Sequence, residues 1–308
     1  MIVAWLPYAD RAEAEARLGG IPDGIEVVRF TGDGSWPDDV TGVEYLVVPY
    51  LKGAEVLDRI GEMTSLRAVQ TLTAGVENFQ PHIPDGVLLC NAAGVHDAST
   101  AELAVALALA SGRHIDVAAR NMPTGTWPSD FGISIADQRI LIIGYGNIGA
   151  AIERRLAGFE VASVTRVARR ARTGEVEVHP IDELHALLPD ADVVFVIAPH
   201  TPETEKMISA TELALLPDGA LVVNVARGKL VDTDALQAAA ASGRIRAALD
   251  VTDPEPLPPD HPLWRTPGVL ITPHVGGASS AFFPRADRLI AAQLKRLAAG
   301  EPLENVIR

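Results

Sequence analysis

The chain has 308 residues, of which 48% are hydrophobic, so it is long enough for two packed cores. Its formal net charge of −14 repels nucleic-acid phosphates and anionic membrane surfaces, and we expect neither as a partner. The single cysteine, Cys90, excludes an intrachain disulfide and a four-cysteine zinc site.

The first third of the chain alternates short apolar runs with helical patterns, which predicts a parallel α/β architecture. It starts without the basic segment of a signal peptide, and no apolar stretch is long enough to span a bilayer. We therefore expect a cytoplasmic protein. The predicted strands are Ile2–Leu6, Ile25–Phe30, Tyr45–Val48, Ala68–Leu72 and Val87–Cys90, with helices over Ala12–Leu18 and Glu55–Met63.

A long helix of almost only apolar residues is predicted next, over about Thr100–Ala119. Ser99 and Glu102 have the spacing of a capping box at its start. A helix that is apolar on every side has to be buried on every side. We therefore expect this helix to pack between two domains or between two subunits.

A second α/β series follows a loop over Thr124–Gln138 that is rich in Gly, Pro, Ser and Asp. Six strands with intervening helices are what a complete dinucleotide-binding fold requires. A final helix over about Ala281–Ala299 follows the last strand. The six predicted strands are Arg139–Ile143, Val161–Thr165, Val193–Ala198, Ala220–Val225, Ala247–Val251 and Val269–Thr272.

The first of these strands runs directly into Gly144-Tyr145-Gly146-Asn147-Ile148-Gly149, and a helical pattern follows. This is the G-x-G-x-x-G motif in the strand–turn–helix context that dinucleotide binding requires. Gly144 permits the tight turn, Gly146 lets the backbone approach a pyrophosphate, and Gly149 allows close packing of helix on strand. The helix start at Asn147 and Ile148 supplies N–H donors, so we predict that a nicotinamide dinucleotide binds here.

The predicted fold class is α/β, with two Rossmann-like doubly wound parallel-sheet domains and a cleft between them. We expect residues 1–94, completed by residues 280–308, to form a substrate-binding domain. Residues 95–279 are expected to form the dinucleotide-binding domain. The last helix would then return to the first domain and make it discontinuous.

The end of the strand after the glycine motif distinguishes NAD from NADP, because an acidic side chain there holds the ribose 2′-hydroxyl of NAD. No acidic residue lies between Glu160 and Glu175, where the chain carries Thr165, Arg166, Arg169, Arg170 and Arg172. The arginines either clamp the 2′-phosphate of NADP or form a solvated loop beside acidic neighbours. We favour the clamp, with Thr165, Arg166 and Arg169 at the adenosine ribose and NADP(H) preferred over NAD(H).

Three polar residues follow the last three predicted strands, at the sheet edge where parallel sheets place their ligands. They are Arg227, Glu255 and His274. Together they supply a cation for a carboxylate, an acid that holds a proton carrier, and the proton carrier itself. Those are the groups needed to reduce a 2-oxo acid.

With these motifs in order, the sequence resembles the D-isomer-specific 2-hydroxyacid dehydrogenase family, and within it the glyoxylate/hydroxypyruvate reductases. The similar stretches lie between about residues 70 and 277 and are AGVENF, NAAGVH, GYGNIG, DVVFVIAPHTPET, LLPDGALVVNVARGKLVDTDAL, ALDVTDPEPLPPDHPLW and ITPHVGG. The resemblance implies an NAD(P)-dependent oxidoreductase that passes a hydride between its cofactor and a small 2-oxo or 2-hydroxy acid. It also implies a homodimer to whose interface the helix after residue 99 contributes.

The resemblance further implies a role for individual residues. Arg227 would bind the substrate carboxylate and carbonyl, and His274 would be the general acid in reduction and the base in oxidation. Glu255 would hydrogen-bond His274, fix its tautomer and favour its protonated form. Backbone N–H groups near Ala74, Gly75 and Val76 would hold the carboxylate. The cofactor would be lined by Pro199, Thr204, Val225 and Ala226, with Asp250 at the nicotinamide amide and Thr100 near the nicotinamide.

Other functions on the same fold are weighed against this one. A formate dehydrogenase needs no proton carrier, so Glu255 argues against it, and the lysine expected near AGVENF in a phosphonate dehydrogenase is absent from residues 71–78. A 3-phosphoglycerate dehydrogenase commonly adds a C-terminal regulatory domain, which we do not expect here because this chain ends soon after its last predicted helix. A dinucleotide-sensing interaction protein, like the corepressors of this superfamily, stays open because such proteins can keep the same residues. A turnover assay separates it from an enzyme.

The side chain of the substrate is not predicted. The region near Leu51 and Leu72 is expected to contribute to the pocket, and glyoxylate, hydroxypyruvate and bulkier 2-oxo acids all stay open. His96 could touch substrate but has no evident acidic partner. Phe282 and Phe283 are expected to be packing residues, with lining of the substrate pocket as the alternative. No histidine pair has metal-ligand spacing beside a carboxylate or thiol, so we predict no metal.

Overall fold

The computed structural model describes residues 1–308, which divide into two compact units. The first unit combines Met1–His96 with Ser280–Arg308, and the second is the continuous segment Asp97–Ser279. No helix is both long and apolar enough to cross a membrane. The strands are β1 (Ile2–Leu6), β2 (Ile25–Arg29), β3 (Tyr45–Val47), β4 (Ala68–Gln70), β5 (Leu88–Cys90), β6 (Arg139–Ile143), β7 (Ser163–Ala168), β8 (His179–Pro180), β9 (Val193–Val196), β10 (Leu221–Asn224), β11 (Arg246–Leu249) and β12 (Val269–Ile271). The helices are α1 (Arg11–Leu18), α2 (Asp97–Gly112), α3 (Ile115–Asn121), α4 (Asn147–Leu156), α5 (Leu184–Leu187), α6 (Ala210–Leu215), α7 (Thr233–Ala241) and α8 (Phe282–Ala299).

Each unit is built on one parallel sheet. The first sheet has five strands in the order β2-β1-β3-β4-β5. The second has seven, in the order β12-β11-β10-β9-β6-β7-β8. In the second sheet the chain starts at β6 and winds to both sides of it, which is the order of a doubly wound dinucleotide-binding sheet. The predicted α/β class with two doubly wound parallel sheets is confirmed.

Strand β1 shows how an apolar run becomes a strand that is buried on both faces. Ala4 and Leu6 belong to the cluster on one face, together with Leu294 of α8. Trp5 lies on the other face and packs against Phe30, with ring centroids 5.2 Å apart. Both faces of such parallel sheets are covered, so their strands are continuous apolar runs rather than alternating ones.

The end of the chain completes the first unit. Tyr8, which follows β1, donates from its hydroxyl to Asp287 of α8 at 2.9 Å, and Arg17 of α1 donates to the same carboxylate at 3.0 Å. Beyond α8 the chain runs antiparallel to β5, where Ile307 N donates to Leu89 O at 2.8 Å. The last helix and the last residues therefore cover one face and one edge of the first sheet.

The long apolar helix differs from its predicted bounds. Helix α2 begins before Ser99, so Ser99 lies inside the helix and the predicted capping box does not form. The helix ends at Gly112, where Ile133 N donates to Gly112 O at 2.7 Å and an added Cβ would lie 2.6 Å from Ile133 O. His114 then adopts φ +54 before α3 begins. The close approach of the loop at Gly112 and the left-handed residue end the helix earlier than predicted.

The burial of α2 is one-sided within the second unit. Ala104, Leu107 and Ala108 are buried in its core, whereas Leu103 is half-buried and Ala106 is exposed. The second unit alone therefore does not cover every side of this helix. Packing of the uncovered side against another domain or a second subunit stays a prediction.

Two short elements also differ from prediction. The segment predicted as one helix over Glu55–Met63 forms two 3₁₀ turns, Ala54–Leu57 and Ile60–Glu62. Gly61, within the second of these turns, disfavours a continuous α-helix. Strand β8 was not predicted, because two residues are too short to show a pattern.

Candidate active site

Most of the predicted functional residues of the second unit lie at one edge of its sheet. All strands run in the same direction, so the residues that follow them meet at this edge. Neighbouring strands are about 4.8 Å apart, so the edge from β12 to β7 spans roughly 24 Å. In the order of the sheet, it carries His274, Glu255, Arg227, Pro199, the loop that begins at Gly144, and Arg169.

The glycine loop between β6 and α4 needs glycine at its first and third positions for packing. Gly144 has φ +103, and a Cβ added to it would lie 2.4 Å from Ala198 N. A Cβ added to Gly149 would lie 2.5 Å from Gly144 O. By contrast, nothing lies within 4 Å of the Cβ position at Gly146. The loop therefore leaves open space only beside its second glycine.

The start of α4 fits an anionic ligand in that space. Helix α4 begins at Asn147, with Gly146 as its N-cap residue and no side chain capping it. The first N–H groups of a helix have no acceptor within the helix, and the helix dipole is positive at this end. Open backbone beside Gly146 and uncapped donors suit the pyrophosphate of a dinucleotide. The loop thus fits the cofactor that its motif predicts.

The arginine-rich strand ends later than predicted. Strand β7 runs through Ala168, because Val167 and Ala168 pair with β8. Thr165 and Arg166 therefore lie inside the strand, on opposite faces, and Arg169 is the first residue after it. The strand end, where a ribose contact is expected, carries Arg169 rather than Thr165 and Arg166.

Arg166 forms an ion pair with Glu153 of α4. This partner of Arg166 was not predicted from the sequence. Arg166 Nε donates to Glu153 Oε2 at 2.8 Å, and a second donor of the guanidinium bonds the other oxygen. The hydroxyl of Tyr145, in the glycine loop, donates to the same carboxylate at 2.5 Å. The hydrogen bond from Arg166 holds the pKa of Glu153 below its ordinary value. Arg166 thus enters a paired network that positions Tyr145, with its charge balanced by Glu153.

The loops after β9 and β10 carry the predicted cofactor-lining residues. Thr204 Oγ1 donates to Pro199 O at 2.8 Å and accepts from Thr201 N at 2.8 Å, so Thr204 folds its own loop. Val225 and Ala226 are buried directly after β10. Cofactor contacts of these four predicted residues stay predictions.

His274 and Glu255 form a hydrogen-bonded pair. His274 Nδ1 donates to Glu255 Oε1 at 2.5 Å, and the side chains are 47% and 41% exposed. The backbone of His274 has φ +53, and its N–H donates to Asp250 O at 2.7 Å. A non-glycine residue at positive φ costs free energy and occurs preferentially at functional sites. The loop therefore holds an accessible imidazole in one orientation, with its tautomer set by Glu255.

Glu255 also changes the proton equilibrium of His274. The hydrogen bond to Glu255 raises the pKa of His274, against the opposing effects of desolvation and of the charge on Arg227. The same hydrogen bond lowers the pKa of Glu255. The pair is therefore stabilised as imidazolium and carboxylate.

Asp250 anchors the loop that carries His274. It is 2% exposed, and its carboxylate accepts from the hydroxyl of Thr272 at 2.6 Å, from Val275 N at 2.9 Å and from Gly276 N at 2.8 Å. Thr100 lies close by, since a Cβ added to Gly276 would be 3.5 Å from Thr100 Cγ2. Asp250 thus has a structural role that was not predicted, while the nicotinamide contacts of Asp250 and Thr100 stay predictions.

Arg227 lies on a turn that is shaped by Asn224, the last residue of β10. Asn224 is 1% exposed, and its amide donates to Arg227 O at 2.9 Å. A Cβ added to Gly228 would lie 1.9 Å from Thr252 O, so this turn packs directly against the loop that leads to Glu255. Asn224 positions Arg227 and was missed; its signal was a polar residue in an otherwise apolar strand.

Ala74, Gly75 and Val76 lie in the first unit, in the loop after β4. Asn91 Nδ2 donates to Ala74 O at 2.8 Å, and Thr73 Oγ1 donates to Gly75 O at 2.7 Å. No backbone carbonyl accepts from the N–H groups of Ala74, Gly75 and Val76. The loop therefore offers adjacent N–H donors of the kind that bind a carboxylate, and that contact stays a prediction.

Comparison with known proteins identifies the family. Residues 105–276 match the family model described as D-isomer specific 2-hydroxyacid dehydrogenase, NAD binding domain. The chain is 30% identical over 302 residues to D-3-phosphoglycerate dehydrogenase of Methanocaldococcus jannaschii, a match that covers 92% of this chain and 57% of the relative. It is 35% identical over 238 residues to the glyoxylate reductase/hydroxypyruvate reductase of Mus musculus, covering 73% of this chain and 71% of the relative.

A solved structure agrees over the whole length of the chain. The D-isomer specific 2-hydroxyacid dehydrogenase from Xanthobacter autotrophicus Py2, in complex with NADPH and MES, is 31% identical and has a TM-score of 0.81 over 100% of this chain and 98% of that one. The chain spans only 57% and 50% of the two D-3-phosphoglycerate dehydrogenases that it matches. The match to the family model includes the glycine loop, Arg227, Glu255 and His274. The chain belongs to the D-isomer specific 2-hydroxyacid dehydrogenase family.

Proposed function

We propose that this protein is a reductase that uses NADPH to convert a small 2-oxo acid into the 2-hydroxy acid. The observation that carries the proposal is the 2.5 Å hydrogen bond between His274 and Glu255, at the same sheet edge as Arg227 and the glycine loop. A bound nicotinamide supplies the hydride. The residues of the chain then have to orient the 2-oxo acid and deliver one proton.

Arg227 and His274 divide this work. The fork of guanidinium donors on Arg227 suits the carboxylate and the carbonyl oxygen of the substrate. The carbonyl oxygen gains negative charge when the carbonyl carbon accepts the hydride, and it then takes a proton from His274. Glu255 holds Nδ1, so Nε2 is the nitrogen that gives this proton. In the reverse direction, Nε2 takes the proton from the hydroxyl group, and the N–H groups of Ala74–Val76 are proposed to hold the carboxylate in both directions.

Preference for NADPH rests on Arg169 and Arg170. Both are exposed directly after β7, and no acidic residue replaces them at the strand end. Arg166 adds less to this preference, because Glu153 already neutralises it. The relative from Xanthobacter was solved with NADPH, which supports the same choice here.

We also propose that residues 1–94 and 280–308 bind the substrate and that residues 95–279 bind the dinucleotide. We further propose that the protein is a homodimer. Apolar side chains on the surface of the second unit support the dimer: Met122, Trp127 and Phe131 are 78%, 93% and 101% exposed. We propose that these three side chains, which follow one another closely in the chain, belong to one interaction surface. Light scattering of a Trp127→Ser, Phe131→Ser double variant should show a monomer, and an unchanged mass would exclude this surface.

The function is tested by following NADPH oxidation with a panel of 2-oxo acids. His274→Gln should lose about 10²–10⁴-fold in kcat, the usual contribution of a general acid, and should still bind NADPH in a fluorescence titration. His185→Gln is the matched control. His185 Nε2 and Glu212 Oε1 form a similar hydrogen bond of 2.7 Å, and this pair does not lie at the sheet edge that carries His274. Binding of NADPH without turnover of any 2-oxo acid would contradict the reductase and favour a dinucleotide sensor.

The cofactor preference is tested separately. In an Arg169→Ala, Arg170→Ala variant, the ratio of kcat/KM with NADPH to that with NADH should fall about tenfold or more, since a hydrogen bond to a charged group is worth about 1.5–3 kcal/mol. Arg154→Ala, at an exposed position on α4, should leave the ratio unchanged. Equal kcat/KM for both cofactors in the wild-type protein would contradict the clamp.

A further inference from the structure

The loop after β3 holds an exposed leucine in a left-handed conformation. Lys52 N donates to Pro49 O at 3.3 Å, which closes a tight turn, and Leu51 in this turn has φ +63. That region of φ favours glycine, so a leucine there costs free energy. The side chain is 78% exposed, so burial within the first unit does not offset the cost. Strained residues with no packing role are found preferentially where ligands are held.

An aromatic cluster, formed by Tyr50, His96, Phe282 and Phe283, lies next to Leu51 in the same unit. Tyr50, the neighbour of Leu51, stacks on Phe282 with ring centroids 3.9 Å apart. Phe283 packs edge-on against Phe282 at 5.3 Å and is 57% exposed. Phe283 therefore presents aromatic carbon at the surface, and Tyr50 connects the cluster along the chain to the exposed leucine.

His96 connects this cluster to the loop with adjacent N–H donors. Its ring is near-parallel to that of Phe282 at 5.4 Å, and its Nε2 donates to Leu72 O at 2.8 Å. Leu72 stands two residues before Ala74. The turn with Leu51 and the loop of Ala74 also follow neighbouring strands, β3 and β4. We therefore expect an acid whose carboxylate binds at that loop to have its remaining atoms near the aromatic cluster and Leu51.

The nearest lysine is turned away from this region. A Cβ added to Gly32 would lie 3.3 Å from Lys52 Cγ, so the stem of Lys52 packs over Gly32. Gly32 follows β2, and in the sheet order β2-β1-β3-β4-β5 that strand is on the opposite side of β3 from β4. Lys52 therefore does not point towards the loop of Ala74.

The arginines near the cluster are engaged by other groups of the protein. The guanidinium of Arg17 lies 5.4 Å from the ring of Phe283 and is paired with Asp287 at 3.0 Å and with Glu13 at 3.3 Å. Arg285, on α8, donates to the backbone at the start of its own helix at 3.0 Å. The two carboxylates balance Arg17, so the arginine at the exposed ring of Phe283 brings no net positive charge that would bind a phosphate.

We propose that Leu51, Tyr50 and Phe283 form the wall that receives the side chain of the 2-oxo acid, and that this side chain is branched aliphatic or aromatic. The proposal rests on the proposed function, because it names the substrate class of the same site. Apart from the hydroxyl of Tyr50, such a wall offers a hydroxymethyl or phosphorylated side chain no hydrogen-bonding group. Each buried methylene of an apolar side chain gains contact with it.

The substrate class is tested by steady-state reduction with NADPH of glyoxylate, hydroxypyruvate, 3-phosphohydroxypyruvate, 4-methyl-2-oxopentanoate and phenylpyruvate. We expect kcat/KM for the last two to exceed that for glyoxylate at least about tenfold, since one methylene in an apolar pocket changes kcat/KM about 10–200-fold. A higher value for hydroxypyruvate or its phosphate would overturn the apolar wall and leave the reductase intact. Failure to reduce any of the five would overturn both.

Variants of Leu51 test the wall itself. In Leu51→Ala, the ratio of kcat/KM for 4-methyl-2-oxopentanoate to that for glyoxylate should fall about tenfold. Leu51→Gly should lower the same ratio while raising Tm, so that the loss cannot come from unfolding. Leu88→Ala is the control: Leu88 is 38% exposed and begins β5, at the opposite edge of the sheet. An unchanged ratio in both Leu51 variants would exclude Leu51 from the wall.

Discussion

The Glu255→Gln substitution keeps the shape of the side chain that holds His274 and removes its charge. His274 Nδ1 donates to this carboxylate at 2.5 Å, and that hydrogen bond is the main cause of the raised pKa of His274. A hydrogen bond to a charged group is worth about 1.5–3 kcal/mol. Because the side chains are 47% and 41% exposed, solvent screening favours the lower end of that range. A loss of about 1.4 kcal/mol lowers the affinity of His274 for its proton about tenfold.

The pH dependence of both reaction directions measures this change. Reduction needs protonated His274, so kcat/KM for reduction falls as pH rises through the raised pKa of His274. In Glu255→Gln the fall comes at lower pH, and above both transitions the variant should be about tenfold slower. Oxidation of the 2-hydroxy acid needs neutral His274. The variant should therefore oxidise faster than the wild type at a pH where the wild-type imidazole is still protonated.

Identical pH profiles of variant and wild type in both directions would refute this reasoning, since the carboxylate would then have no effect on the proton. A uniform loss of activity at every pH would show that Glu255 positions the loop and does not act by stabilising the protonated form of His274. Glu212→Gln is the control. It removes the charge of the carboxylate that His185 contacts at 2.7 Å. Because this pair does not lie at the sheet edge that carries His274, both pH profiles should stay unchanged.

Four further substitutions test the loops. Gly144→Ala should lower the free energy of unfolding by about 3 kcal/mol or more in urea titrations, because φ is +103 and the added Cβ meets Ala198 N at 2.4 Å. Gly146→Ala, with no atom near its Cβ, should unfold like the wild type and bind NADPH more weakly; normal binding would place the cofactor elsewhere. Asp250→Ala should lower the free energy of unfolding by about 3 kcal/mol or more, since three hydrogen bonds to a buried carboxylate are lost. Leu51→Gly should raise the free energy of unfolding by about 0.5–1 kcal/mol, the steric cost of φ +63 less the entropy of glycine, and a lower value would show that the turn is not strained.

The features that were predicted correctly from sequence depend on local requirements. Gly144 and Gly149 are needed because backbone atoms approach them closely, and the apolar run before them is buried on both faces of a parallel sheet. Parallel order then fixes the edge at which the residues after the strands meet. For that reason the residue pair His274 and Glu255 could be placed near each other without knowledge of the structure.

The features that were predicted incorrectly depend on contacts between distant parts of the chain. Strand β7 continues to Ala168 because its last residues pair with β8, which consists of two residues and shows no pattern of its own. Arg166 was therefore assigned to the strand end, and Glu153 could not be recognised as its partner from a separate helix. Similarly, Gly112 ends α2 because the backbone of Ile133 approaches it.

The discontinuity of the first unit has a consequence for synthesis of the protein on the ribosome. Residues 97–279 separate the two parts of this unit, and at about 5–20 residues per second their translation takes roughly 9–37 s. During that time Ala4 and Leu6 lack α8, which supplies Leu294 to their cluster. The second unit is continuous, so we expect it to become protease-resistant first. Nascent chains that stop before residue 280 should remain cleavable by protease within residues 1–96. Protection of that segment in chains lacking α8 would show that the first unit folds without it.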